Sequence, residues 1–137
     1  MSYGPAQALQ AAIYQLLSAD AGVTALVGTA IYDEVPPGPV AGTLISLGEA
    51  ETRDLSDKSG GLAEHRLMIR VVSDAEGFAQ AQDVATAVSD ALVDANPALS
   101  RGRIVALSFI KARARRVRAG QVRRIDLTFR VIVEDDQ

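Results

Sequence analysis

The chain contains no cysteine and no tryptophan. The first absence excludes disulfides, thiolate metal sites and cysteine nucleophiles. Phenylalanine and tyrosine number three each, so the core must rest on Val, Ile, Leu and Ala. No basic–apolar–small leader opens the sequence, and no apolar run approaches membrane-spanning length. The protein is therefore expected to stay in the cytoplasm, where it is made. Catalytic signatures are also missing: there is no Gly-x-Ser-x-Gly elbow, zinc spacing, phosphate loop or dinucleotide fingerprint. His65 is the sole histidine, and its place in an alternating apolar run marks it as a core or edge residue rather than a base. Carboxylates pair at Asp33-Glu34, Asp54 with Asp57, and Asp135-Asp136. Adjacent strand residues point to opposite faces, which places the first and last pairs poorly for shared acid–base work. No catalytic residue, cofactor or metal site is expected, and the chain reads as a non-enzyme.

What is present fits one domain, residues 1–137. Net charge is −3, but the sum hides an asymmetry. Residues 1–110 carry 6 basic and 13 acidic side chains, net −7, whereas residues 111–124 carry seven basic and none acidic. A block this localised implies a partner, either nucleic acid or an acidic protein surface.

Leu9, Ile13, Leu16 and Leu17 form one stripe of a helix over 5–19, with Pro5 in its first turn. Asp20 suits the cap of a short second helix carrying Val23, Leu26 and Val27, which Gly28 ends. Ile31-Tyr32 is a brief extended stretch, and Pro36-Pro37-Gly38-Pro39 makes a rigid turn. Residues 43–49 read as a strand. Residues 50–62 show neither helical nor strand periodicity, and a polar loop this long is functional or disordered. Its Arg53, Asp54, Asp57, Lys58, Gly60 and Gly61 are expected to become ordered on assembly. A strand over 63–73 follows, with His65, Leu67, Ile69 and Val71 on one face. Phe78, Ala81, Ala85, Val88 and Leu92 then mark a helix over 75–95, stopped by Asn96-Pro97.

The final hairpin sets its own register. A two-residue turn at Ala119-Gly120 would place apolar side chains opposite polar ones. A three-residue loop, Arg118-Ala119-Gly120 with Gly120 left-handed, pairs Phe109 with Phe129, Leu107 with Val131 and Val105 with Val133. The core-facing parity then continues as Lys111, Arg113 and Arg115, and residues 111–124 project beyond the core as a basic arm. A lone two-stranded arm needs something to lie against. The expected fold is α+β: two main helices on a mainly antiparallel four-stranded sheet, in the order helix, two strands, helix, two strands. Lys111, Arg113, Arg115, Arg116, Arg118, Arg123 and Arg124 are the candidate interface between copies, because a +7 arm complements a −7 body. A nucleic-acid-binding module using the same hairpin is the alternative, although it lacks stacking aromatics. A charged edge that merely deters aggregation is the third reading.

The stretch from Leu9 to Gly38 resembles the tail-terminator, or tail-completion, proteins of long-tailed phages and gene transfer agents. It carries an opening helix, a Leu16-Leu17-Ser18-Ala19-Asp20 break, a Val27-Gly28 stop and an Ile31-Tyr32 turn leading to proline. Glu64-His65 entering a strand, the alanine-rich helix and the closing hairpin extend the likeness over nearly the whole chain. Where this sequence has Gly42-Thr43, the family often has Pro-Tyr. The resemblance implies a six-fold ring of identical copies on the finished tail tube. Such a ring stops tube growth, meets the head connector or stopper, and lets DNA through its lumen without sequence specificity. It also implies assembly in the host bacterial cytoplasm and residence at the head–tail junction.

Overall fold

The computed structural model describes residues 3–33, 35, 37–55 and 61–136. They form three helices and five strands: α1 (Ala6–Ala19), α2 (Ala21–Val27), β1 (Ile31–Tyr32), β2 (Thr43–Asp54), β3 (Leu62–Ser73), α3 (Ala79–Leu92), β4 (Arg103–Val117) and β5 (Val122–Glu134). The α+β class holds, with one strand more than expected. The extra strand, β1, lies parallel to β2 and touches it only at Ile31–Ile45 and Tyr32–Ser46. Sheet order is β1-β2-β3-β5-β4, otherwise antiparallel.

The helices bury their stripes on one face of this sheet. Leu9, Ile13 and Leu17 of α1 meet Val84, Val88 and Leu92 of α3 and the alternating Ile125, Leu127, Phe129, Val131 and Val133 of β5 in one core. Asp20 caps α2 as expected, its carboxylate accepting from Val23 N–H at 3.0 Å, and Gly28 ends the helix. The third helix is shorter than the apolar stripe. Gly77 adopts φ +72° before it, and Asp94 adopts φ +62° after it. These left-handed residues break the ladder at each end, ahead of Asn96-Pro97.

The hairpin departs from expectation in four ways. Phe109–Phe129 and Leu107–Val131 pair as read, but Ile104, not Val105, faces Val133. Val105 is extruded in a bulge and left 48% exposed. The turn holds four residues between paired Val117 and Val122, with positive φ at Arg118 and Ala119 as well as Gly120. The register conflict is resolved by a second bulge at Ile110 rather than by the turn. One inserted residue moves every later side chain to the other face. Ala112 and Ala114 therefore oppose Leu127 and Ile125 on the helix side, while Lys111, Arg113 and Arg115 turn to the helix-free side. The alternative would have stacked three cations over apolar side chains. Nor does the hairpin project as a free arm, because β3 pairs with β5 out to Ser73–Arg123.

Residues 50–54, expected in a loop, continue β2. Glu51 pairs with Arg66, Thr52 with His65, Arg53 with Glu64 and Asp54 with Ala63. A bulge between Leu47 and Ala50 shifts the phase there. Gly48 permits it, since a Cβ at that position would sit 3.0 Å from the Met68 carbonyl oxygen.

Candidate functional site

The sheet face opposite the helices carries the charge. Alternation places Arg66 and Arg70 of β3, Lys111, Arg113 and Arg115 of β4, and Arg124 and Arg130 of β5 on it. Two carboxylates are set among them. Glu64 is 2% exposed and Asp126 7% exposed, a depth acidic groups reach only when paired.

Glu64 accepts a hydrogen bond from Arg66 Nε at 2.8 Å on one oxygen and from Arg130 Nε at 2.6 Å on the other. Arg53 adds a longer ion pair at 3.8 Å. Bonds from Arg130 and then Arg66 hold the Glu64 carboxyl below its ordinary pKa of 4.5, outweighing the opposing effect of burial. Asp126 sits 3.1 Å from Arg124 Nε, 3.4 Å from Arg70 Nε and 3.7 Å from Arg115 Nη2. Of these neighbours, Arg124 Nη2 donates a hydrogen bond at 3.1 Å to one carboxylate oxygen. The other oxygen and the Nε groups of Arg70, Arg115 and Arg124 lie off hydrogen-bond geometry, so attraction there is coulombic.

The candidate interface residues thus divide. Arg115 and Arg124 converge on Asp126, and Arg123 Nη1 donates to the Gly120 carbonyl at 3.0 Å. Lys111, Arg113, Arg116 and Arg118 are exposed. Lys111 and Arg113 lie on the helix-free face, Arg116 on the opposite one and Arg118 in the turn. In the expected assembly loop, Arg53 and Asp54 belong to β2, and the Gly61 carbonyl accepts from Asp135 N–H at 2.9 Å. Asp57, Lys58 and Gly60 lie outside the described residues.

Sequence reasoning missed two features. Arg101 grips Asp135 with two parallel bonds of 2.9 Å, fastening the approach to β4 onto the end of β5. No periodicity announces such a pair. The other is a cavity of about 290 Å³ between α1 and the bulged part of β2, lined by Gln7, Gln10, Ala50, Thr52, His65 and Leu67 among others. His65 is 1% exposed there. Its Nδ1 lies 3.0 Å from Thr52 Oγ1, and its Nε2 has no partner among the described residues. Burial pushes its pKa below 6.5.

Among the described residues, then, the chain is an α+β unit with one helix-covered face, one ionic face and unpaired strands at both sheet edges. The family model "Tail completion protein gp17" matches residues 11–134, and the chain belongs to this family. It is a structural protein of the tail region. A chain in a solved structure, "Virion of native gene transfer agent (GTA) particle", is 59% identical over 97% of this chain and 99% of its own length, with a TM-score of 0.91. Among curated proteins no relative matches.

Proposed function

We propose that this protein closes into a ring of identical copies, six by resemblance, on the end of the finished tail tube. The ring stops tube growth, joins the tube to the head connector or stopper protein, and passes DNA through its lumen without reading sequence. No step in this role needs catalysis. The observation that carries the reading is the 59% identity, over nearly the whole length of both chains, to a chain of a gene transfer agent virion. The opposed charge blocks support contacts between copies, with Lys111, Arg113, Arg116 and Arg118 as the exposed cations that reach a neighbour. Such contacts weaken with salt, so the dilute protein is monomeric and closes on the tube. Cryo-electron images of purified particles test this: a ring of this protein is expected between tube and connector, and particles without one refute the reading.

A further inference from the structure

Among the described residues the sheet has two unpaired edges. β4 bonds to β5 alone, so one whole side of a 15-residue strand is open. It carries the exposed apolar side chains of Val105, Phe109 and Ile110. On the other side, β1 covers β2 only at Ile45 and Ser46, leaving residues 47–54 open. An edge of this kind is a template for another strand.

Strand sense fits the two edges to each other. β2 and β5 both run antiparallel to β3, and β4 runs antiparallel to β5, so β4 opposes β2. Rotation about an axis along the strands preserves these senses, so copies in a cyclic ring bring the two edges together antiparallel. The contact is heterologous, with different surfaces on each side, and it can close.

Register fits as well. Phe109 pairs with Phe129, Phe129 with Leu67, and Leu67 with Ala50, which puts Phe109 and Ala50 at one height and on the helix side. Ala50 lines the cavity beneath α1. Just past the β4 bulge, Lys111 pairs with Thr128 and Thr128 with Met68, level with the β2 bulge that holds Glu49. The Glu49 side chain is 79% exposed and holds a long ion pair, 3.8 Å, to Arg70 of its own chain. Apolar thus meets a cavity, and cation meets anion.

We propose that consecutive copies join edge to edge, β4 of one adding antiparallel to residues 47–54 of the next, with Phe109 seated against Ala50 over the cavity and Lys111 beside Glu49. Main-chain bonds supply affinity and the two side-chain matches fix the register. This inference rests on the ring reading above.

The chain has no cysteine, so crosslinking is clean. Phe109→Cys and Ala50→Cys alter exposed positions and, combined in one chain, should give a ladder of covalent multimers when rings on tails are oxidised, because directly opposed strand residues lie within disulfide reach. Either substitution alone should give no ladder. Rings that form normally without a ladder from the double variant overturn the edge pairing and leave the ring standing. Wild-type particles without a ring overturn the ring reading itself. A charge swap covers the case in which the cysteine variant does not assemble. Glu49→Lys should lower ring occupancy about tenfold or more, and adding Lys111→Glu should restore it. A swap that restores nothing overturns the pairing.

Discussion

Glu64 and Asp126 lie on the same face of the same sheet, and each has three arginines within ion-pair distance. They are nevertheless built differently. Both oxygens of Glu64 take short bonds from guanidinium groups, whereas Asp126 has one hydrogen-bonded oxygen and only misaligned contacts, at 3.1 and 3.4 Å, around the other. Aspartate is one methylene shorter and stands directly opposite Arg70, while the longer glutamate reaches Arg130 diagonally. A crowd of arginines therefore does not measure stability; hydrogen-bond geometry does. Glu64 locks three strands together, since Arg53, Glu64 and Arg130 come from β2, β3 and β5. Asp126 instead gathers cations next to the open edge.

The largest effect should come from Glu64→Ala, which leaves Arg66 and Arg130 without their acceptor. Breaking a fully buried pair costs about 3–5 kcal/mol. Here the Arg66 and Arg130 side chains are 44% and 36% exposed and water screens them, so about 2 kcal/mol is expected. That loss lowers the melting temperature by roughly 5–10 °C. Asp126→Ala should cost about half as much, roughly 1 kcal/mol, because one well-formed bond is removed and the crowded cations relax into water. Thermal unfolding of the two variants decides the matter; equal losses would erase the distinction drawn from geometry.

Most of the fold was legible because burial leaves a period. The α1 and α3 stripes, the Asp20 cap and the apolar alternation of β5 all follow from side chains that must leave water. Residues 50–54 were not legible. Their place in β2 comes from main-chain pairing and from the Arg53–Glu64 ion pair to β3, and neither leaves an apolar alternation. The bulge at Ile110 was hidden for a related reason. Two solutions satisfied the register conflict, a longer turn or an inserted residue, and apolar pattern alone does not choose between them. Ala112 and Ala114, small side chains interleaved with the arginines, were the one signal that the parity flips. The ionic face was visible as charge and invisible as geometry, since composition does not say which carboxylate meets which guanidinium.

Acid titration sharpens the comparison through a smaller effect. The Glu64 pKa is lowered in the folded state, so its contribution is fully present above the ordinary value of 4.5 and is lost as pH falls through the lower, folded value. His65 adds an earlier limb. Its folded pKa lies below 6.5, so the unfolded chain takes up a proton below that pH while the buried ring resists, and stability declines from there. Melting temperatures measured across pH 3–8 should fall in two stages. His65→Gln should remove the upper stage and Glu64→Gln the lower; an upper stage that survives His65→Gln would contradict the burial argument.

The smallest effect on the monomer should come from the hairpin tip, where the proposed ring predicts the greatest effect on assembly. Arg115 is unsuitable for a charge reversal, because a glutamate there would face Asp126. Lys111, Arg116 and Arg118 are exposed; the first pairs with Thr128, the second with Arg123, and the third lies in the turn. None of the three stands opposite a carboxylate. Reversing all three to Glu should change monomer stability by less than about 0.5 kcal/mol per site, and Arg116→Glu gains a cross-strand cation in Arg123. If the proposed ring holds, occupancy on tails should nonetheless collapse, because the cations it places against a neighbour become anions. If the tip touched only DNA in the lumen, rings would form and genome retention alone would suffer. A triple variant that keeps both its melting temperature and full ring occupancy would remove the tip from the interface.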